Sequence, residues 1–224
     1  MTEIEYKIYI DDVVRRVEFA RLQVSEYHIV KTIAVSKYST SDEIEKLYNI
    51  GQRAFGENKV QDLKVKSQEL EDLPLEWHFI GNLQKNKINN LLDIRPSLFH
   101  ALDSIELAEE LQKKLLAKNM TLSTLMQINS AKEESKYGVM PELAIETYKK
   151  IQDTCPNIKL KGVMSIGAHS EDRDIVKQSF ETTHNIYKQL NGATICSMGM
   201  SGDYELAISC GSNMIRLGSV MFNK

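Results

Sequence analysis

Three short stretches of this 224-residue chain carry residue types that an ordinary core does not need. "AVSK" (34–37) ends a small, β-branched apolar run in Lys37. "SMGMSGDYELAI" (197–208) sets Met200 and Ser201 among small residues just ahead of a helical pattern. "IRLGSVMF" (215–222) places Arg216 inside an apolar run and follows it with Gly218 and Ser219. A lysine at a strand end has two readings. It can lift its ammonium into solvent along an apolar stem. It can instead point into a pocket, where a desolvated amine is a nucleophile and forms Schiff bases with aldehydes. Ser201 also has two readings, as a helix N-cap or as part of an anion site built from loop amides and a helix N-terminus. Gly218 lets the backbone approach a ligand closely, and the amides after it can converge on the same anion. Arg216 is harder to explain away, because buried arginine is rare unless it is paired or bonded to a ligand.

These residues need a scaffold that brings distant segments together. Eight β-rich runs recur along the chain, at 32–37, 53–57, 76–81, 98–104, 124–131, 160–167, 194–200 and 214–222. Helical patterns separate them. "SDEIEKLYNI" carries a Ser41–Asp42 cap signal, and "DSIELAEELQKKLLAKN" spaces Leu107, Leu111 and Leu115 by four, with Asn119 as a stop. "MPELAIETYKKIQDTC" has Pro141 at a first turn, and "SGDYELAISCG" ends on Gly211. Repeated strand–helix units predict a parallel sheet covered by helices. The expected fold class is α/β, a single (β/α)8 TIM barrel over residues 1–224 with an extra N-terminal helix, "DDVVRRVEFARLQVSE", packed outside the barrel or across its bottom. A doubly wound open sheet is the structural alternative.

In such a barrel the chemistry sits at the C-terminal ends of the strands, and phosphate sites follow strands seven and eight. Lys37, the "GEN" of 56–58, Ser201 and Arg216 all fall there. Ile33, Val35 and Lys37 share one face of strand one. If Arg216 and Gly218 face inward, they stand across from Lys37. An amine for an aldehyde, a cup for a phosphate and an inward arginine together suggest pyridoxal 5′-phosphate (PLP) as cofactor.

The bulk numbers leave room for this and point nowhere else. A net charge of −3 predicts neither nucleic-acid nor membrane binding. The lysine-rich stretches "KVQDLKVK" and "QKNKINN" read as solvated helix faces. Three cysteines, with no CxxC pair, suit a reduced compartment. No apolar run is long enough to span a bilayer, and "MTEIEYKIYI" carries acids where a secretory signal carries bases. The expected location is cytoplasmic. His28, His78, His100, His169 and His184 show no paired metal-ligand spacing.

The motifs, in their order, resemble the YggS/PROSC family of PLP homeostasis proteins and, more distantly, the barrel domain of alanine racemase. The resemblance runs from about Lys31 to Phe222. It is carried by "AVSK" (34–37), "FGENKVQ" (55–61), "WHFIGNLQKNK" (77–87), "KYG" (136–138), "GVMSIG" (162–167), "SMGMSGDYELAI" and "IRLGSVMF". It implies that Lys37 forms the internal aldimine with PLP. It implies that Ser201, Gly218 and Ser219 hold the phosphate, the last two through backbone amides, and that Arg216 faces the pyridine nitrogen. Asn58 and Met200 match positions lining the pocket, with Met164 and Ser165 lining it from strand six. The chain departs from the family pattern at Gly202, where an acid is common, and at Asn223, where glycine is usual.

A cationic partner at the pyridine nitrogen weakens PLP as an electron sink, because it disfavours a protonated ring. Alanine racemase adds a tyrosine base from a second domain for which this chain has no room. Tyr137 and His169 are the remaining candidates for a second base. The expected function is therefore PLP carriage and homeostasis, bearing on vitamin B6 and amino-acid balance, with little or no turnover. PLP-dependent amino-acid racemisation is the alternative. PLP-dependent apo-enzymes are the expected recipients, and a monomer is expected because the racemase's second domain is missing.

Overall fold

The computed structural model describes residues 1–133 and 136–222; Asn223 lies outside them. Eight strands run in the order β1 (Lys31–Val35), β2 (Ala54–Glu57), β3 (Glu76–Phe79), β4 (Leu98–Leu102), β5 (Leu122–Ile128), β6 (Ile158–Ser165), β7 (Ile195–Ser197) and β8 (Met214–Leu217). They pair in parallel in sequence order and close into a barrel. β8 meets β1 through Lys31↔Met214 and Ile33↔Arg216. The open-sheet alternative is thereby set aside. Apart from β2, each strand stops short of the C-terminal end expected from its apolar run. Residues past the ends of β1, β3, β7 and β8 line a hollow at the barrel mouth. The largest difference is at 214–222. There the ladder ends at Leu217, and the Gly218 carbonyl accepts from Met221 N at 3.0 Å and Phe222 N at 3.2 Å. The chain turns at once into the short helix α9 (Ser219–Phe222). Periodicity cannot separate a buried strand from a buried turn of helix over so few residues.

The outer helices are α1 (Glu3–Val24), α2 (Ser41–Asn49), α3 (Val60–Glu69), α4 (Ile88–Ile94), α5 (Ile105–Ala117), α6 (Ala144–Thr154), α7 (Arg173–Tyr187) and α8 (Tyr204–Ser209). α5 buries Leu107, Ala108, Leu111 and Leu115, starts where the Ser104 hydroxyl accepts from Leu107 N, and stops where Asn119 turns left-handed at φ 51°. α2 starts one residue before the expected cap. Thr40 is the N-cap, and it exchanges hydrogen bonds with Glu43, a reciprocal pair that Ser41 has no partner to match. α1 packs outside the barrel rather than across its bottom. Its Arg16 guanidinium donates to both Glu205 carboxylate oxygens on α8 at 2.9 Å, and Tyr6 donates to Glu43 on α2 at 3.2 Å.

Strand alternation sends Ile33, Val35, Gly56, His78, Met164, Ser197 and Arg216 to the barrel interior. The neighbours Ser36, Glu57 and Ser165 face the helix layer. The interior carries an unusual polar string. At its bottom Lys31 pairs with Glu76 at 2.5 Å, and Glu76 accepts from His78 at 2.9 Å. The His78 and His100 rings meet at 2.8 Å, and both are buried. Arg216 sits toward the mouth. Among the described residues, no helix is long and apolar enough to cross a membrane, and no group of three His, Cys, Asp or Glu side chains could hold a metal ion.

Candidate functional site

Lys37 lies in the turn just beyond β1, and the residue before it is tied down at every polar group. Ser36 N donates to Gly56 O at 3.0 Å, and its hydroxyl donates to Glu57 Oε1 at 2.6 Å. Its carbonyl accepts from Lys66 Nζ at 2.8 Å. Lys66, from α3, also binds Glu57 Oε1 at 2.7 Å, and Glu57 is fully buried. A buried carboxylate needs such partners. Here they clamp the end of β1 from the helix side. Alternation then sends Lys37 the other way, to the mouth, where its Nζ lies 5.0 Å from the Tyr38 ring centroid. The side chain is exposed and also lines a cavity, so the two readings of this lysine describe one position.

That cavity has a volume of about 510 Å³, within the usual range for small-molecule sites. Lys37 and Val35 reach it from β1, Met200 and Ser201 from the loop after β7, and Arg216, Gly218 and Ser219 from β8 and the turn after it. Ile80 and Phe222 add apolar surface. Six of the nine expected site residues therefore meet on one hollow. Asn58 does not line it. Asn58 is exposed, and its carbonyl is pressed so close to Gly81 that a Cβ there would lie 2.0 Å from the Asn58 oxygen.

Ser201 is not a helix cap. Asp203 holds the N-cap position of α8, and its carboxylate accepts from Met200 N at 2.6 Å. Burial raises the Asp203 pKa, against the pull of the Met200 amide and the Arg216 charge. The Ser201 hydroxyl instead accepts from Gly218 N at 3.1 Å, which joins the loop after β7 to the turn after β8. Gly199, at φ 95°, makes the approach possible; a Cβ there would come within 2.7 Å of the Ala207 Cβ. The amides at the start of α9 and the Ser201 hydroxyl form one polar corner of the cavity.

Arg216 is 5% exposed. Its Nη1 donates to the Ser197 carbonyl at 3.0 Å and hydroxyl at 2.7 Å, and its Nη2 donates to the Ser165 carbonyl at 2.9 Å. Burial pushes its pKa down to about 10, with the Asp203 charge opposing, so it is a cation at neutral pH. Among the described residues, no carboxylate lies within ion-pair distance of it. The cation is positioned by neutral dipoles, and it also faces the cavity.

Strand six contributes differently from expectation. The Ser165 hydroxyl accepts from Thr183 on α7 at 2.8 Å and so faces away from the mouth; it is its carbonyl that serves the site, by holding Arg216. Met164 is buried in the interior and does not line the cavity. Tyr137 and His169 do not line it either. Glu57, Lys66, Ser197 and Ile80 were missed by sequence reasoning. For Glu57 a signal existed, a buried-strand acid in "GEN", but its partners Ser36 and Lys66 become visible only once α3 is folded against β1.

The donor set fits PLP by its chemistry. The cavity offers an amine, a corner of hydroxyl and amide donors, a cation with no carboxylate at ion-pair distance among the described residues, and apolar surface for a ring. The barrel and this set of groups define the class: a family model described as alanine racemase, N-terminal domain, matches residues 14–223. Within that class the match narrows. The chain is 51% identical over 221 residues to a pyridoxal phosphate homeostasis protein of Helicobacter pylori, covering 99% of this chain and 100% of that one. It is 35% identical over 210 residues to the human protein of the same name, covering 87% and 76%. The chain belongs to the pyridoxal phosphate homeostasis protein family. A structure of PipY from Synechococcus elongatus with PLP bound matches with a TM-score of 0.79 at 30% identity, covering 92% of this chain and 99% of that one. Alanine racemase from Corynebacterium glutamicum shares the fold, with a TM-score of 0.67 at 14% identity, and this chain spans 60% of its length.

Proposed function

We propose that this protein binds PLP at the barrel mouth, holds it as a Schiff base on Lys37, and serves PLP homeostasis and carriage with little or no turnover. The observation that carries the reading is the convergence of Lys37, Ser201, Gly218, Ser219 and Arg216 on one cavity. Family membership supports it. The Ser201 hydroxyl and the Gly218 and Ser219 amides are the groups that would hold the phosphate, and Arg216 would face the pyridine nitrogen. PLP, when bound, supplies an electron sink for amino-acid chemistry. Arg216 works against that sink, because a fixed cation disfavours protonation of the ring nitrogen. Lys37 is the one lysine on the cavity, and Tyr137 and His169 lie off it. Neither of the two candidates for a second base is therefore placed for two-base racemisation, and the tyrosine that does line the cavity is Tyr38, beside Lys37. The setting we infer is cytoplasmic, with PLP-dependent apo-enzymes as recipients.

The test is the visible spectrum of the purified chain with PLP, before and after borohydride. The expected result is a yellow species bleached by reduction, with a pyridoxyl group found on Lys37 by peptide mass spectrometry and none in Lys37→Ala. A chain that stays colourless after incubation with PLP overturns the reading. Robust interconversion of L- and D-alanine would replace carriage with racemisation.

A further inference from the structure

Lys37 and Tyr38 are the two central residues of a turn that is buried at both ends. Ser39 N donates to Ser36 O at 2.8 Å, the i to i+3 bond that closes such a turn. Ser36 is fully buried, and Ser39 is 7% exposed. On the strand side the turn is held by the contacts of Ser36 with Glu57 and Lys66. On the helix side Thr40 follows at once as the N-cap of α2, locked to Glu43 by their reciprocal pair. The two residues between these anchors turn outward together. Lys37 is exposed, and Tyr38 is 79% exposed.

The Tyr38 ring centroid lies 5.0 Å from Lys37 Nζ, within the range over which a ring face attracts an ammonium. The residue lines the same cavity as Lys37, Ile80 and Phe222. Phe222 is buried in the cavity wall, whereas Tyr38 stands at its outer edge. Whatever becomes bonded to Nζ must sit beside this ring. Freeing an aldehyde from Lys37 requires water at that same bond. The carbon–nitrogen double bond breaks, the water oxygen becomes the aldehyde oxygen, and both water protons end on the lysine nitrogen. No oxidant or reductant takes part. A ring carried there on an anchored turn limits the approach of water. Tyr38 comes from the same turn as Lys37 and lies on the same side of a bound molecule, so it is not placed as a base for the opposite face.

We propose that Tyr38 sets how long the protein keeps its cofactor: its ring covers the bond between Lys37 and PLP and slows the hydrolysis that releases PLP. For a carrier, that rate decides how long the load is withheld from solution. This role for Tyr38 rests on PLP being held on Lys37, and it adds what governs release. It belongs to the aromatic ring and not to the phenolic hydroxyl.

The test is the rate at which the PLP-loaded full chain releases PLP. Loss of the visible band is followed in excess semicarbazide, which traps free PLP, and the rate is extrapolated to zero semicarbazide. Tyr38→Ala should release PLP about fivefold faster than the wild type, the rate equivalent of a cation–π contact at an exposed site. Tyr38→Phe keeps the ring and should release at the wild-type rate. Tyr137→Ala, which removes an exposed tyrosine lying off the cavity, should also release at the wild-type rate. Circular dichroism, which these surface changes should leave unchanged, confirms that each variant is folded. Release from Tyr38→Ala at the wild-type rate overturns the proposal. So does Tyr38→Phe or Tyr137→Ala releasing as fast as Tyr38→Ala. A wild-type chain that never takes up PLP overturns the Lys37 reading itself, and the role of Tyr38 falls with it.

Discussion

The Ser201 hydroxyl accepts the Gly218 backbone N–H at 3.1 Å, and this one bond joins the loop after β7 to the turn after β8. The loop that the sequence placed ahead of a helix and the segment that it read as part of strand eight are the two sides of one corner. A hydroxyl can rotate to donate as well as accept, so the same atom can serve an anion placed there.

Ser201→Ala should therefore weaken PLP binding by about tenfold, the worth of one hydrogen bond to a charged group. α8 should be unaffected, because Asp203 holds its N-cap position. Absorbance titration against PLP measures the effect. An unchanged dissociation constant would remove Ser201 from the phosphate corner.

Arg216→Glu should change both the spectrum and the stability. The new carboxylate would face the Ser165 and Ser197 carbonyls, which now accept from the guanidinium. Buried acceptors left without donors cost about 1–3 kcal/mol each. The bound cofactor's visible band should shift, because its ring nitrogen would lose a cationic neighbour. Urea unfolding and visible absorbance report the two effects separately. A band at the wild-type position would place Arg216 outside the cofactor site.

Glu57→Ala should uncouple Lys37 from its support. Removing the carboxylate strips Lys66 and the Ser36 hydroxyl of a shared partner inside the protein. Breaking a buried pair from one side costs about 3 kcal/mol or more. Reaction of Lys37 with PLP should slow, since Ser36 no longer fixes its backbone. Glu57→Gln, which keeps an acceptor for both groups, should lose less on both counts. Urea unfolding and stopped-flow absorbance check the pair of outcomes; equal behaviour of the two variants would refute the clamp.

Acid should destabilise the barrel from the inside. His78 donates to Glu76 through Nε2, so its Nδ1 accepts from His100 Nε2, and His100 Nδ1 is left buried without a partner. Burial lowers both histidine pKa values from the ordinary 6.5, that of His100 well below it. The unfolded chain then binds more protons than the folded one. Stability from this pair is complete above 6.5 and falls as the pH drops below that value. His100→Gln keeps a donor for His78 and cannot titrate, so its urea midpoint should depend less on pH across this window. An unchanged pH dependence would mean that other groups set the acid limit.

Much of the fold was legible before any coordinates. Eight β-rich runs separated by helical patterns call for a parallel sheet with helices outside. Leu107, Leu111 and Leu115 could have no other meaning than a helix with one buried face. What periodicity could not supply was where each ladder stops. The end of β8 at Leu217 and the start of α9 at Ser219 are settled by the hydrogen bonds to the Gly218 carbonyl, not by the apolar run that contains them.

The site divides along the same line. Residue type and order were enough to nominate Lys37, Met200, Ser201, Arg216, Gly218 and Ser219, because an amine, hydroxyl and amide donors and a buried guanidinium each have few ordinary uses in apolar surroundings. Asn58 could be nominated by motif but not placed: the residue is exposed and lies off the cavity. Ser165 likewise could be nominated but not placed, since its hydroxyl accepts from Thr183 on the helix side and only its carbonyl serves the site, by holding Arg216. The sequence alone determined which chemical groups this protein possesses and that a parallel barrel would gather them at one end. Only the tertiary structure decided which groups meet. Barrel closure sets Ile33 beside Arg216, while Lys66, thirty residues from Ser36 in sequence, closes the clamp under Lys37. Contacts of that kind depend on the register between strands and the seating of a helix on them, and no local pattern of residues encodes either.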